Sequence, residues 1–326
     1  MPIVEVSQRA PGVREALLSI ELPLPNHRGG KVRDLFDIRL PSGEDGVLIV
    51  ASDRISAFDV VMANGLPGKG IVLTQISKFW FEYFADRVEH HLVSTDVSDV
   101  PGLTDAQYSL LDGRVMLCRK TEVLPIECIA RGYITGSGWK DYQQTGQICG
   151  IELPSGLSNS DALPDALFTP STKAASGHDQ NISAQQGAEV VGEATMQWLA
   201  DATLGLYREA RDYALERGII LADTKFEFGR LPNAEHVQQP LLIDEIFTPD
   251  SSRFWPLASY QPGKEQNSFD KQVVRNYLEE EVSAGRWDKT PPGPVLPEKI
   301  VELSLERYLE AFERLTGSPL DLGAFG

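Results

Sequence analysis

Hydrophobic and polar positions in the first third of the chain come in short bursts. Residues 31–36, 46–51, 71–73 and 114–118 are apolar or β-branched runs and predict strands. Residues 74–87 break that rhythm. There Ile76, Phe79, Trp80, Tyr83 and Phe84 recur at helical spacing and predict a helix that lays an aromatic stripe on the sheet.

Residues 153–170, rich in Pro, Ser and Asp and without a period, predict a largely loop segment. Ser183 followed by Gln186 reads as a capping box. It opens a helical pattern through Val190, Val191, Trp198, Leu199, Leu206, Tyr207 and Ala210 that Gly218 would stop. Gly187, Gly192 and Gly205 each weaken such a helix by roughly 1 kcal/mol where exposed, so it should be broken or packed closely on something. Residues 219–229 and 241–247, joined by a polar stretch containing Pro232 and Asn233, predict a β-hairpin. A helix near 269–282, a proline-rich break at 291–297 and a final helix complete the pattern. Ile300, Leu303, Tyr308, Leu309, Phe312 and Leu315 share one side of that last helix, which should brace the rest.

With 326 residues and 42% hydrophobic side chains, the chain can bury a large core, and its length favours two cooperating lobes. Its formal charge of -17 repels phosphate backbones and anionic membranes on average, which disfavours nucleic acid as a partner. No apolar run approaches the ~18 residues of a membrane span, and the start of the chain lacks a basic-then-apolar leader, so a cytoplasmic location is expected. Cys118, Cys128 and Cys149 are odd in number and form no C-x-x-C pair, predicting three reduced thiols. The five histidines show no zinc spacing, and none is assigned a catalytic role.

The candidate chemistry sits in a few polar clusters. In a strand over 219–229, Asp223, Lys225 and Glu227 would share one face at steps of ~6.6 Å, while Thr224, Phe226 and Phe228 point inward. A solvated face with an ion pair is the ordinary explanation. The hairpin partner, however, delivers Asp244 straight after its own apolar run, and carboxylates brought together there need a cation. Magnesium prefers oxygen ligands and sits between one or two carboxylates and substrate phosphates, which makes Glu227 and Asp244 candidate ligands.

Gly29, Gly30, Lys31, Val32, Arg33 and Asp34 place flexible backbone beside two cations, fitting either a cover over ATP phosphates or a surface turn. The run is not a P-loop, because Val32 stands where that motif needs Ser or Thr. Residues 131–138 put Arg131 and Ser137 around small residues, fitting an anion cradle or a glycine-rich turn. Residues 248–253 combine capping residues with Arg253. Lys173 stands among Ser171, Thr172, His178, Asp179 and Asn181, where phosphate contact is open to it. Residues 52–59 follow a buried run, a usual place for functional side chains.

Taken in order, GKVRD (30–34), SDRISAFD (52–59), LPIECIARGYITGS (124–137), FTPSTKA (168–174), ADTKFEFG (222–229) and DEIFTPDSSRFW (244–255) resemble the SAICAR synthetase family, in its longer, eukaryotic-like form. The resemblance covers residues 29–287. It implies an α+β, two-lobed fold related to the ATP-grasp and kinase-like architectures, with antiparallel sheets and packed helices. Residues 1–121 would form a β-rich nucleotide lobe, 122–265 an α+β catalytic lobe and 266–326 a helical brace.

It also implies a monomeric ligase that spends ATP to condense aminoimidazole carboxylate ribonucleotide (CAIR) with L-aspartate, with Mg2+ as cofactor. On this resemblance Gly30, Lys31, Val32 and Arg33 cover the phosphates, and Val123, Leu124 and Glu127 belong to the adenine hinge. Lys173 lies near the nucleotide, and Glu227 and Asp244 serve magnesium. Asp59, Arg131, Ser137 and Arg253 face the ribonucleotide and aspartate. Lys225, Asp223 and Asp179 take the catalytic positions. Two alternatives stand beside it: a kinase-like phosphotransferase, whose H-R-D and D-F-G pieces are missing, and a non-catalytic nucleotide-binding module, which would have no use for Arg131, Ser137 and Arg253.

Overall fold

The computed structural model of the chain describes residues 15–173, 180–232, 239–269 and 271–325. It is an α+β fold built on two antiparallel sheets. The first runs in the order Arg28–Gly29, Arg33–Arg39, Asp45–Ala51, Val115–Arg119, Leu92–Ser94. Its strand Arg33–Arg39 buries Asp34, Phe36 and Ile38, the alternation expected of a pleated ribbon. Arg28–Gly29 folds back on it with Gly29 opposite Asp34, so residues 30–32 form the tip of a tight hairpin.

The second sheet is organised by one long strand, Ile219–Arg230. Ile126–Tyr133 and Ser252–Pro256 pair with it on opposite edges, so Arg131 and Arg253 both stand beside Asp223 in register. Nearer its end, Glu227 pairs with Ile243 of Leu241–Ile243, the hairpin that the apolar runs predict. The chain passes between the sheets through Glu122–Val123, which pairs with Gly229 and Arg230. One continuous core joins Met116 of the first sheet, Trp80 of the first helix, Phe226 of the second sheet and Tyr308 of the last helix.

Several local expectations hold and others do not. The Ser183–Gln186 capping box forms in both directions, and the helical pattern is broken at Gly192 into Ala184–Val191 and Glu193–Leu215. Gly187 packs closely, as a Cβ there would lie 2.4 Å from Met196 Cε. Residues 71–73 are not a strand. They belong to the helix Lys69–Tyr83, whose first six residues are all buried. A helix enclosed on every side loses its amphipathic signature, so its β-branched start imitates a buried strand. The 153–170 segment is loop only in its first half. Ala162–Phe168 forms an edge strand on Ile126–Tyr133 with a register shift between Ala162 and Leu167, the kind of position that accepts Pro164. The three cysteines are free. Among the described residues, no helix is long and apolar enough to cross a membrane.

Candidate functional site

A cavity of about 810 Å³ opens between the hairpin tip of the first sheet and the end of the long strand. Gly30, Lys31, Val32 and Arg33 line one side, Val123, Lys173, Glu227 and Asp244 the other, and Leu35, Val47 and Ile49 provide an apolar floor. This mixture of flat apolar wall and converging cations suits a nucleotide: a base against the wall and phosphates among the cations.

Charge is arranged tightly at its inner end. Arg33 donates to both carboxylate oxygens of Asp244, with Nη2 3.0 Å from Oδ2, and lies 3.4 Å from Glu245. Burial pushes the Asp244 carboxyl up, but the Arg33 guanidinium overrides it and holds Asp244 below the usual carboxylate range. Glu245 goes the other way, raised by burial. Asp244 adopts a left-handed backbone with φ 68°, which costs about 1–2 kcal/mol for most L-residues and less for Asp, and which turns its side chain out of the strand's direction. His91 lines the same cavity. Its Nε2 lies 3.3 Å from the Asp244 carbonyl oxygen, and burial lowers its pKa to about 4, leaving the ring neutral.

The face predicted for the long strand is present. Phe226 and Phe228 are wholly buried on one side. On the other, Lys225 sits between two carboxylates, with Nζ 2.6 Å from Glu127 Oε1 and 3.5 Å from Glu227 Oε1. Burial pulls the Lys225 ammonium down, and Glu127 and Glu227 more than reverse this, keeping it charged. Lys173 donates to Glu227 as well.

At the other end of the same face, Asp223 is buried and accepts from both Arg131, at 3.2 Å, and Arg253. Arg131 also donates to Ser137 Oγ at 2.9 Å and Thr169 Oγ1 at 2.9 Å, so its fork is held on three sides. Arg253 faces a second cavity of about 310 Å³, which Lys140, Gln272 and Arg275 also line. Gly136, which opens the helix Gly136–Thr145, has φ 58°, and a Cβ on it would lie 2.5 Å from Arg253 Nη2. Only glycine fits both the turn and the approach.

The predicted residues thus fall into two groups. Gly30, Lys31, Val32, Arg33, Val123, Lys173, Glu227 and Asp244 meet at the larger cavity. Arg131, Ser137, Asp223 and Arg253 form one hydrogen-bonded cluster, of which Arg253 lines the smaller cavity. Leu124 is in the core behind the first cavity, with its backbone N–H donating to the Phe228 carbonyl, and Glu127 is buried under Lys225 rather than on the cavity wall. Asp59 is exposed and pairs with Lys31. Asp179 lies outside the described residues.

Sequence reasoning missed Lys140, Gln272 and Arg275. Lys140 was findable, standing three positions after Ser137 on a short helix and so on the same side. Gln272 and Arg275 were not, because their segment reads only as a brace and nothing local shows which way its polar side faces. Among the described residues, no group of three or more His, Cys, Asp or Glu side chains is placed to hold a metal ion, which leaves the pair Glu227 and Asp244.

The SAICAR synthetase family model matches residues 26–292. The phosphoribosylaminoimidazole-succinocarboxamide synthase of Geotalea uraniireducens is 53% identical over 289 residues, 88% of this chain and 93% of that protein. That of Thermodesulfovibrio yellowstonii is 52% identical over 89% of this chain and 94% of its own. Among solved structures, SAICAR synthase from Saccharomyces cerevisiae, complexed with SAICAR, matches with a TM-score of 0.81 and 42% identity, covering 94% of this chain and 99% of that one. A SAICAR synthetase in complex with ADP, 22% identical with a TM-score of 0.63, shares the fold. The chain belongs to the SAICAR synthetase family.

Proposed function

We propose that the protein joins CAIR to L-aspartate at the cost of one ATP, giving SAICAR, ADP and phosphate. The observation that carries this reading is the single strand face on which Asp223, Lys225 and Glu227 stand in line. It connects the nucleotide-sized cavity at Glu227 to the paired arginines at Asp223.

In this reading the terminal phosphoryl group of ATP passes to a carboxylate oxygen of the ribonucleotide, forming an acyl phosphate. The amine of aspartate then attacks the carbonyl carbon, an amide bond forms, and phosphate leaves with the electron pair of the broken C–O bond. Lys31, Arg33 and Lys173 neutralise the triphosphate. Arg131, Ser137 and Arg253 hold the anionic groups of the ribonucleotide, with Asp223 fixing the two guanidinium groups. Lys225, charged and held between Glu127 and Glu227, lies where the carboxylate and the transferred phosphoryl group must meet. Phosphoryl transfer of this kind depends on positioning and charge neutralisation more than on a side-chain nucleophile. The place of Asp179 rests on the resemblance alone.

Glu227 and Asp244 fit magnesium by their donor chemistry: two hard carboxylates in one cavity, with room for phosphate oxygens and water to complete the shell. When bound, the ion supplies charge neutralisation at the phosphate oxygens.

The test supplies ATP, magnesium and CAIR with and without aspartate and follows ADP and product together. Stoichiometric ADP and succinocarboxamide that both require aspartate are expected. ADP release at the same rate without aspartate would point to a phosphotransferase instead.

A further inference from the structure

Residues 52–59 lie beside the glycine-rich hairpin tip, and two of them, Ser52 and Arg54, aim their side-chain donors at its backbone. Ser52 donates to the Val32 carbonyl oxygen twice, from its N–H at 3.1 Å and its hydroxyl at 2.7 Å. Arg54 takes the two preceding carbonyls: Nε donates to Lys31 O at 3.1 Å and Nη2 to Gly30 O at 3.1 Å. Its remaining arm, Nη1, reaches Leu18 O at 2.6 Å and Asp34 Oδ2 at 2.8 Å. The Arg54 side chain is only 14% exposed and is not among the residues lining the nucleotide-sized cavity.

Three consecutive carbonyls of the tip are therefore occupied from one side. In a trans peptide the C=O of one residue and the N–H of the next point in opposite directions. Holding the Gly30 and Lys31 carbonyls toward Arg54 turns the N–H groups of Lys31 and Val32 the other way. Gly30, Lys31 and Val32 themselves line the cavity. Successive N–H groups turned to one side form a concave anion site. The hairpin is closed by the Gly30 N–H donating to Arg33 O at 2.7 Å, so the tip has little freedom to present them differently.

We infer that Arg54 is a positioning residue for nucleotide binding: from behind the hairpin tip, its guanidinium fork sets the peptide planes of residues 30–32 so that the Lys31 and Val32 N–H groups meet the ATP phosphates. A lysine cannot replace it, since a single ammonium does not reproduce a planar fork spanning two carbonyls. This deepens the proposed function, because it rests on the larger cavity being the ATP site.

The test compares the full-length protein with Arg54→Lys and Arg54→Ala. ADP and adenosine affinities are measured by calorimetry in the presence of magnesium, and KM values for ATP, CAIR and aspartate in the coupled assay. The ADP Kd and the ATP KM are expected to rise about tenfold in both variants, the loss of one to two oriented hydrogen bonds. Adenosine affinity and the KM values for CAIR and aspartate should stay within about twofold, since nothing at the base or the second cavity depends on the fork. Unchanged ADP affinity in a folded variant would overturn the inference. So would a parallel loss for adenosine and ADP, or failure of both variants to fold, which would make Arg54 a determinant of the fold. If the unaltered protein binds ADP yet makes no succinocarboxamide, the ligase reading fails while the ADP and adenosine titrations still decide the role of Arg54.

Discussion

Arg33 grips Asp244 with both terminal guanidinium nitrogens across 211 positions of sequence, tying the hairpin tip of one sheet to the end of a strand in the other. The pair closes the inner end of the larger cavity. It also means that a divalent ion using Asp244 must share that carboxylate with a fixed cation, so the balance of charge there is narrow.

Asp244→Asn is the direct test of that balance. Asn accepts the left-handed backbone at this position nearly as well as Asp, so the fold should persist, whereas Ala would add a backbone penalty. Turnover is expected to fall about a hundredfold or more, with a higher magnesium requirement, from the loss of one charged ligand. Near-normal turnover across a magnesium titration would remove Asp244 from the metal site.

Gly136→Ala should act on the second cavity alone. The left-handed φ costs about 1–2 kcal/mol for a residue with a Cβ, and the new methyl would displace the Arg253 guanidinium. The KM for the ribonucleotide is expected to rise about tenfold while that for ATP stays level, because the cost falls on one anion site. Equal increases in both would show that the two cavities are not separable in this way.

His91 gives a pH window. Its folded pKa of about 4 lies below the ordinary value of 6.5, so between these values the unfolded chain binds the additional proton. Stability from this group is therefore complete above pH ~6.5, declines as pH falls toward ~4, and amounts to up to about 3 kcal/mol. Urea unfolding at several pH values in that window should show a shallower slope in His91→Asn than in the unaltered protein. Identical slopes would mean that His91 is protonated in the folded state.

Lys69 and Asp250 test the brace. Lys69 is fully buried, 2.8 Å from Asp250 Oδ2, and Asp250 also accepts from Tyr308 of the last helix at 2.7 Å and pairs with Lys271 at 3.2 Å. Burial pushes the Asp250 carboxyl up, and Lys271 and Lys69 together hold it far below its usual range. Lys69→Met removes one partner of a buried pair and should cost about 3 kcal/mol in urea unfolding, less to the extent that Lys271 compensates. A cost well under 1 kcal/mol would show that Lys271 and Tyr308 suffice.

What the sequence determined by itself was local. Strand alternation alone put Asp223, Lys225 and Glu227 on one face, because the two-residue period depends only on the backbone. Ser183 and Gln186 fixed a helix start, since a cap needs only residues three apart. Tertiary structure decided the rest. It made residues 71–73 helical, because a segment enclosed on all sides carries no period to read. It gave residues 162–168 a strand partner that no neighbour in sequence could indicate. It also chose which cation meets which carboxylate: Arg33 with Asp244, Arg131 and Arg253 with Asp223, Arg54 with the hairpin tip. Such pairs join segments separated by tens to hundreds of positions, and their energy depends on distance and burial, which arise only when the two sheets close on a common core.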